Sequence, residues 1–330
     1  MTNYSEILPP LKAKYHWLVT GSAGFIGSHL TEALLSLGQK VTGLDNFSTG
    51  YGKNIDMAVS ASGHPENFTF VEGSINDSEI CAHVMKSVDY VLHHAAFVSV
   101  PASMNVPVKC FDSNVSGFMN ILEAARINGV KKIVYATSSA VYGDDYTMPK
   151  TESLTGKSLS PYALSKYINE LCAEFYTRVY GLECTGLRYF NVFGVRQDPN
   201  GAYAAVIPRW IDAVTSGKIP VIYGDGEQSR DFCAVQNVVK ANILAATTQE
   251  SSGKIFNIGC GVETTLNELL SKIYSVFAPE REANAIYESP RQGDILRSSA
   301  SIAYAQNVLN YEPAVYLEEG LRIMSEEMKQ

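Results

Sequence analysis

The amino-acid sequence predicts an α/β fold, a doubly wound parallel sheet with a smaller, interleaved α/β lobe. Strand-like apolar segments alternate with helical segments through the first 190 residues, which is typical of parallel strands joined by crossover helices. After Asn191 loops and shorter elements follow, and a helix and a strand within 235–258 are expected to return to the first sheet. We therefore expect one domain of residues 1–190 with 235–258, and a second of 191–234 with 259–330.

The composition narrows the class of protein. Of 330 residues, 46% are hydrophobic and 18% are charged, as in globular proteins. The net charge of −8 argues against binding to nucleic acid or to a membrane surface. No apolar run approaches the ~18 residues of a membrane span, and residues 1–14 lack a signal core, so we expect a cytoplasmic protein. Six scattered cysteines without a Cys/His cluster indicate reduced thiols and no metal site.

The first strand, Trp17 to Thr20, ends in a glycine turn with the pattern G-x-x-G-x-x-G at Gly21, Gly24 and Gly27. A helical pattern begins directly after it, so backbone N–H groups at the helix start are placed to bind a pyrophosphate. The next strand ends at Asp45, whose carboxylate suits ribose hydroxyls and repels a 2′-phosphate. The pair of signals predicts an NAD site, and a packing turn is the alternative for the glycines alone.

The following elements supply further candidates along the same sheet edge. The polar turn after Asp45 is expected to line the adenosine end of the cofactor. A strand over 89–94 ends in small residues, where ligands lie in open α/β sheets, and its two histidines are interpreted as structural. A helix around Asn114 runs on to Gly129, and a strand over 132–139 ends in two serine hydroxyls. The second lobe is expected to hold a helix over 204–216, a strand and turn over 220–231, and a helical tail around the basic loop 289–294.

Tyr162 and Lys166 are the catalytic candidates. They open a helix entered through Ser160-Pro161, and residues four apart share a helix face. A cation beside the phenol favours phenolate and lowers its pKa. Tyr146 and Lys150 have the same spacing, but the proline between them removes the helical geometry. An exposed structural Tyr–Lys pair is the alternative for residues 162 and 166.

Taken together, these motifs resemble the extended short-chain dehydrogenase/reductase family, which has a Rossmann-type sheet. The segments 44–50, 188–194 and 197–208 are similar to those of UDP-hexose 4-epimerases, in the branch that handles N-acetylhexosamines. The resemblance runs from about Tyr15 to Gly320. It implies NAD as cofactor, a UDP-sugar as substrate and a homodimer formed through the helices after Phe97 and Pro161.

The resemblance also implies roles for individual residues. Tyr162 would be the base, Lys166 would hold the nicotinamide ribose and Ser138 would bind the sugar O4. The implied cofactor contacts are Gly21, Gly24, Phe25, Ile26, Gly27, Asp45, Asn46, Phe47, Ser48, Thr49, Gly50, Ser74, Ile75, Ala95, Ala96, Asn114, Tyr162, Lys166 and Tyr189. The implied substrate contacts are Ser99, Ser138, Ser139, Tyr162, Asn191, Ala205, Val206, Tyr223, Arg230, Arg291, Asp294 and Ser298.

Two positions depart from the common pattern of the resembled family. Ser74 stands where an acidic residue often accepts from adenine, which puts NAD affinity in question. Ser298 stands where epimerases restricted to glucose and galactose carry tyrosine, and the smaller side chain leaves room for an N-acetyl group. We therefore expect C4 epimerisation of UDP-GlcNAc and UDP-GalNAc through a 4-keto intermediate, with UDP-glucose and UDP-galactose accepted more weakly. A UDP-hexuronate 4-epimerase, a nucleotide-sugar dehydratase and a non-catalytic NAD sensor are the alternatives.

Overall fold

A seven-stranded parallel sheet forms the centre of the protein, with the order β3-β2-β1-β4-β5-β6-β11. The computed structural model describes residues 4–199, 205–290 and 296–329. The sheet strands are β1 (His16–Thr20), β2 (Lys40–Asp45), β3 (Phe68–Glu72), β4 (Tyr90–His93), β5 (Lys132–Ser138), β6 (Glu183–Tyr189) and β11 (Lys254–Ile258). The chain reverses direction across the sheet between β1 and β4, so the doubly wound arrangement is confirmed.

Shorter strands build a second lobe. They are β7 (Asn191–Phe193), β8 (Val221–Tyr223), β9 (Ser229–Arg230), β10 (Phe232–Ala234), β12 (Thr264–Thr265), β13 (Ile286–Glu288) and β14 (Arg297–Ser298). Among them β9 pairs with both β12 and β14, β8 pairs with β13, and β7 pairs with β10.

Thirteen α-helices accompany the strands in the described residues. They are α1 (Tyr4–Ile7), α2 (Phe25–Ser36), α3 (Gly52–Ser62), α4 (Ser78–Val84), α5 (Val100–Asn105), α6 (Pro107–Phe111), α7 (Gly117–Asn128), α8 (Pro161–Tyr180), α9 (Val206–Thr215), α10 (Val235–Thr247), α11 (Leu266–Phe277), α12 (Ala303–Leu309) and α13 (Leu317–Glu327). Across the described ranges, none of these helices has the length and apolarity needed to cross a membrane.

The core lies on both faces of the sheet. On one face, apolar residues of α2 and α10 pack against the buried strands. On the other face, residues of α4, α7 and α8 do the same. The central strand β1 is fully buried from Trp17 to Thr20, which explains why its sequence is an apolar run rather than an alternating pattern. A third cluster, around Trp210 and Ile273, forms the core of the second lobe.

Several boundaries follow from local chemistry. The side chain of Ser160 accepts a hydrogen bond from Ala163 N at 3.1 Å and so begins α8, with Pro161 in its first turn. Gly181, in the left-handed conformation, ends the same helix. The helix and the strand predicted within 235–258 are α10 and β11, and β11 does return to the edge of the main sheet beside β6.

The helix around Asn114 differs from its prediction. The sequence indicates one continuous helix, whereas the structure has α6, a π-helical turn over Asp112–Ser116, and then α7. Asn114 is 2% exposed and lies in the middle of that turn. A π-turn adds one residue to a helical turn and often marks a functional site. Here it places a buried amide against the loop that follows β4.

Candidate active site

The glycine turn after β1 packs so closely against neighbouring backbone that two of its positions have no room for a side chain. Gly21 has a φ of +73°, and a Cβ there would lie 2.7 Å from Ala95 N. A Cβ on Gly27 would lie 2.0 Å from Gly21 O. Across the described residues no side chain caps the start of α2 at Gly24, so the first N–H groups of that helix face the turn. This cradle fits the pyrophosphate of a dinucleotide.

Asp45 joins the glycine turn to the polar turn that follows. Its Oδ2 accepts from Ala23 N at 2.9 Å and its Oδ1 accepts from Phe47 N at 2.8 Å. Each carboxylate oxygen keeps a second lone pair that can accept from a ribose hydroxyl. Tyr51 N also donates to Ala23 O, at 3.0 Å. Residues 46–50 therefore lie beside the glycine turn, as the prediction of an adenosine-lining segment requires.

The remaining predicted cofactor positions surround the carboxyl ends of β3, β4 and β6. The Ser74 hydroxyl accepts from Asn76 N at 3.2 Å and so closes a local turn, and Ile75 is buried beside it. After β4, Ala95 N donates to Thr20 Oγ1 at 3.2 Å. Ala96 follows in the same loop and is half-buried.

Asn114 and Tyr189 are engaged within the protein. The Asn114 amide accepts from Phe97 N at 2.6 Å and donates to Phe97 O at 3.0 Å, so it holds the loop after β4. The Tyr189 hydroxyl shares a 2.8 Å hydrogen bond with His94 Nε2 and accepts one from Asn242 Nδ2 at 2.8 Å. Both side chains shape the edge of the sheet where the cofactor is predicted.

His93, at the end of β4, and His94, directly after it, are structural in this arrangement. His93 Nδ1 lies 2.8 Å from Thr20 Oγ1. Burial lowers the pKa of His93 well below its usual value and lowers that of His94 to about 3, so both rings are neutral at pH 7. Within residues 4–199, 205–290 and 296–329, no group of three or more His, Cys, Asp or Glu residues could hold a metal ion.

Ser138, Tyr162 and Lys166 meet where β5 ends and α8 begins. The Ser138 side chain lies near the Tyr162 phenol, where hydrogen bonding between them would lower the pKa of that phenol. Lys166 Nζ lies 6.0 Å from the centre of the Tyr162 ring and donates to Ala136 O at 3.0 Å. Ser103 Oγ, on α5, accepts from Tyr162 N at 3.2 Å. The three predicted catalytic side chains are thus brought close to one another at the carboxyl end of β5.

The electrostatics of this trio differ from the sequence expectation. Burial raises the pKa of Tyr162, and the hydrogen bond from Ser138 opposes that rise. Lys166 is desolvated as well, which lowers the pKa of its ammonium to about 8. The expected lowering of the phenol pKa by Lys166 is therefore wrong for the protein without its ligands, because burial raises that pKa instead.

A cavity of about 440 Å³ lies in the second lobe and gathers five of the predicted substrate residues. They are Asn191, Ala205, Val206, Tyr223 and Arg230. Trp210 and Gln228, which the sequence analysis missed, contribute to the same wall. Ser138 is paired in register with Tyr189, two residues before Asn191. The trio and the cavity therefore adjoin along the carboxyl edge of the sheet.

Asp231 joins the segments around this cavity. It is fully buried, and its carboxylate accepts from Cys260 N at 2.8 Å, Gly261 N at 2.9 Å and Ala300 N at 3.2 Å. Its own carbonyl accepts from Asn191 N at 3.1 Å. Burial raises the pKa of Asp231 and the three N–H donors lower it. No local sequence pattern indicates this role, because the three N–H donors lie 29 to 69 positions along the chain.

Of the five remaining predicted substrate residues, the three that the structure describes are distributed more widely. Ser298, 9% exposed, is paired in register with Arg230 in the β9–β14 ladder, and it is not among the described residues that line the cavity. Ser99 caps the start of α5, accepting from Ala102 N at 3.1 Å. Ser139 begins the 3-10 turn after β5. Arg291 and Asp294 lie outside the described residues.

Comparison with known proteins finds relatives that match nearly the whole chain. Residues 17–259 match the NAD dependent epimerase/dehydratase family. The chain is 40% identical to a putative UDP-glucose 4-epimerase of Methanocaldococcus jannaschii, over 94% of this chain and 98% of that one. It is 34% identical to UDP-glucuronate 4-epimerase 4 of Arabidopsis thaliana, over 92% of this chain and 73% of that one.

A solved structure gives a similar result. The UDP-N-acetylglucosamine 4-epimerase of Methanobrevibacter ruminantium, in complex with UDP-N-acetylmuramic acid, superposes with a TM-score of 0.89. The two chains are 39% identical, and the match covers 96% of this chain and 98% of the other.

Proposed function

The chain belongs to the NAD dependent epimerase/dehydratase family, and on that premise we propose that it inverts C4 of UDP-N-acetylhexosamines through a 4-keto intermediate. The protein is an NAD-using enzyme whose relatives are UDP-sugar 4-epimerases. The observation that carries the proposal is the meeting of Ser138, Tyr162 and Lys166 beside a cavity that contains Arg230.

The residues that would hold NAD fit that cofactor. The glycine turn leaves the start of α2 open to a pyrophosphate, and Asp45 stands at the end of β2 for a ribose. Lys166, fixed by Ala136 O, would bind the nicotinamide ribose. The chemistry that bound NAD supplies is reversible hydride acceptance, and its oxidised ring carries a positive charge.

Tyr162 would move the proton. Its phenolate takes the proton from the sugar 4-hydroxyl and later returns it to the 4-keto oxygen. Ser138, within hydrogen-bonding reach of that phenol, would hold the sugar oxygen in line. Because burial raises the pKa of Tyr162, the phenol needs nearby positive charge to ionise at neutral pH. Lys166, whose pKa is about 8, is largely charged at pH 7 and provides part of it.

The second lobe would hold the UDP part of the substrate while the sugar turns over. Arg230 offers a fork of charged donors to a diphosphate in a protein of net charge −8. Asn191 and the backbone at Ala205 and Val206 line the same cavity. Arg291 and Asp294 stay proposed substrate contacts on the strength of the family pattern. With UDP anchored, the keto sugar can rotate and present its other face to the same trio.

Ser298 supports the preference for N-acetylated sugars. It stands beside Arg230 and is small, so the space next to the predicted sugar site is not filled by a phenol ring. The Methanobrevibacter relative, named for UDP-N-acetylglucosamine, supports the same preference. A UDP-hexuronate 4-epimerase is the second candidate, because the Arabidopsis relative carries that name at 34% identity.

We also propose that the enzyme is a homodimer. Apolar side chains are exposed on two neighbouring parts of the surface, Met104 and Val108 on α5–α6 and Leu171 and Phe175 on α8, with exposures of 60%, 79%, 51% and 42%. Because α5 and α6 both pack against α8, these exposed apolar side chains lie on neighbouring helices, which supports a protein interface there. Light scattering should give twice the chain mass, and Leu171→Glu should halve it; a monomeric wild type would contradict the proposal.

The activity is tested by offering purified enzyme three substrate pairs without added NAD. We expect UDP-GlcNAc and UDP-GalNAc to interconvert fastest, UDP-glucose and UDP-galactose to react more slowly, and UDP-glucuronate to remain unchanged. Preferred conversion of UDP-glucuronate would favour the second candidate. Protein that converts none of the three pairs would contradict epimerisation of UDP-sugars.

A further inference from the structure

The catalytic face of α8 continues one turn beyond the predicted pair. Tyr162, Lys166 and Glu170 are spaced four residues apart, so they lie in one row along the helix. Each of the three contacts the end of β5. The phenol meets Ser138, the ammonium donates to Ala136 O, and Glu170 Oε1 accepts from Thr137 Oγ1 at 2.8 Å.

Three consecutive residues of β5, 136 to 138, therefore meet three successive turns of α8. Two of these contacts belong to the reacting trio. The third contact joins Thr137 and Glu170, whose exposed fractions are 2% and 3%. Neither residue is a predicted contact of the cofactor or of the substrate. Its place in the row indicates that it sets the position of the other two.

Arg188 fixes the third contact. Its Nε donates to Glu170 Oε1 at 2.9 Å and its Nη2 donates to Glu170 Oε2 at 2.8 Å, and both residues are buried. Arg188 stands on β6 and is paired in register with Thr137. A bidentate pair has one preferred geometry, so Glu170 is held at a fixed depth between two strands.

The same arginine reaches the segment that follows Ser138. Its Cζ lies 4.9 Å from the centre of the Tyr142 ring, in the 3-10 turn over Ser139–Tyr142. Its Nη1 donates to Glu152 O at 3.1 Å. Arg188 thus ties together α8, the end of β5 and the loop after it, which are the segments that carry Lys166, Tyr162 and Ser138.

The charge balance also favours this arrangement. Glu170 is one helical turn from Lys166, and a lone buried carboxylate there would attract the ammonium away from Ala136 O. Because Arg188 engages both carboxylate oxygens, the ammonium stays on the strand carbonyl.

We propose that Glu170, anchored by Arg188 and Thr137, is a positioning residue that holds α8 at the depth where Tyr162 and Lys166 reach Ser138 and Ala136. This inference rests on the proposed epimerase function only for its kinetic consequence. Its structural content, the depth of α8 against β5, is independent of which sugar is converted.

The test uses Thr137, because its hydroxyl can be removed without breaking the buried ion pair. Thr137→Val keeps the side-chain shape and removes the donor, and Thr137→Ser restores the donor. We expect Thr137→Val to lower kcat about 10-fold, since small displacements of reacting groups are costly, with KM and NAD content within two-fold of wild type. Thr137→Ser should recover most of the loss.

Thr185→Val is the matched control. Thr185 is a fully buried threonine on β6 whose hydroxyl donates to Ser251 O at 3.0 Å, away from the trio. The kcat of Thr185→Val should therefore equal that of wild type. Wild-type kcat in Thr137→Val, an equal loss in Thr137→Ser, or an equal loss in Thr185→Val would overturn the inference.

A crystal structure of Thr137→Val separates this inference from the proposed function. If wild-type enzyme converts no UDP-sugar, the proposed function fails, yet the position of α8 can still be measured. We expect the distance from Lys166 Nζ to Ala136 O to lengthen beyond 3.0 Å and the contact between Ser138 and Tyr162 to open. An unchanged pair of contacts would overturn the positioning role.

Discussion

Tyr162 and Tyr146 share the same spacing to a lysine, and burial distinguishes them. Tyr162 stands at the start of α8 against Ser138, whereas Tyr146 is 91% exposed in a loop. Tyr162→Phe removes the proposed base, so kcat should fall by ~10²–10⁴, while Tyr146→Phe should leave it unchanged. Initial rates of UDP-GlcNAc conversion measure both. Equal rates in the two variants would mean that the base is another residue.

We expect Ser298 to determine whether N-acetylated sugars are accepted. Its neighbour in register is Arg230, and only 9% of it is exposed. Ser298→Tyr fills the space that an acetamido group needs, so turnover of UDP-GalNAc should be lost while UDP-galactose is still converted. Rates on both sugars give the ratio. Wild-type turnover of UDP-GalNAc in this variant would show that selection occurs elsewhere.

Individual catalytic residues could be predicted from the sequence where a short motif contains them. Ser138, Tyr162 and Lys166 could be chosen from spacing and context. Glu170 and Asp231 could not, because their roles depend on partners 33 and 69 positions away, at Thr137 and Ala300. No pattern along the chain encodes such distant contacts.

The glycine turn and α2 act as one element, and its glycines are required by space. A Cβ at Gly27 would lie 2.0 Å from Gly21 O, far inside contact distance. Gly27→Ala should therefore displace the turn from the helix start and release NAD. The absorbance ratio at 260 and 280 nm of purified protein, with NAD extracted and quantified, measures occupancy. Full occupancy in this variant would contradict the proposed pyrophosphate cradle.

Helix ends were predictable where a specific residue creates them. Ser160 and Pro161 begin α8, and Gly181 ends it. The π-turn around Asn114 was not predictable, because one inserted residue barely disturbs an apolar period of 3.6. The two-residue strand β14 was missed as well, since its pairing with β9 joins residues 68 positions apart and does not depend on local alternation.

Across the whole molecule, buried neutral histidines should make the enzyme sensitive to acid. Burial lowers the pKa of His29 and of His94 to about 3 and lowers that of His93 strongly. Below pH ~6.5 the unfolded chain binds protons that the folded chain excludes, so stability present above pH 6.5 is lost as the pH falls. At pH 5.5 the three histidines together should lower the free energy of unfolding by about 4 kcal/mol.

Thermal unfolding at pH 7.5 and 5.5 measures this effect. The Tm of the wild type should be clearly lower at pH 5.5 than at pH 7.5. The difference should be smaller in His29→Gln, whose amide can still bond Tyr4 and Val195 O. The same Tm at both pH values, or an equal fall in the variant, would show that these histidines do not control acid stability.

The overall architecture could be predicted because strand-like and helical segments alternate through the first 190 residues. The parallel, doubly wound sheet follows from that pattern, and the return of a strand within 235–258 was predicted as well, whereas the order of the strands was not. The shape of the substrate cavity could not, because it is enclosed by segments from four separate parts of the chain, around Asn191, Ala205, Tyr223 and Leu266. Only packing of the second lobe brings these together.

The central claim is that C4 is inverted by hydride removal and return within one site. The most direct test incubates purified enzyme, without added NAD, with UDP-GlcNAc deuterated at C4 in ordinary water and follows the products by mass spectrometry and NMR. We expect UDP-GalNAc that retains the deuterium at C4. Loss of the label to water, or no formation of UDP-GalNAc, would contradict it.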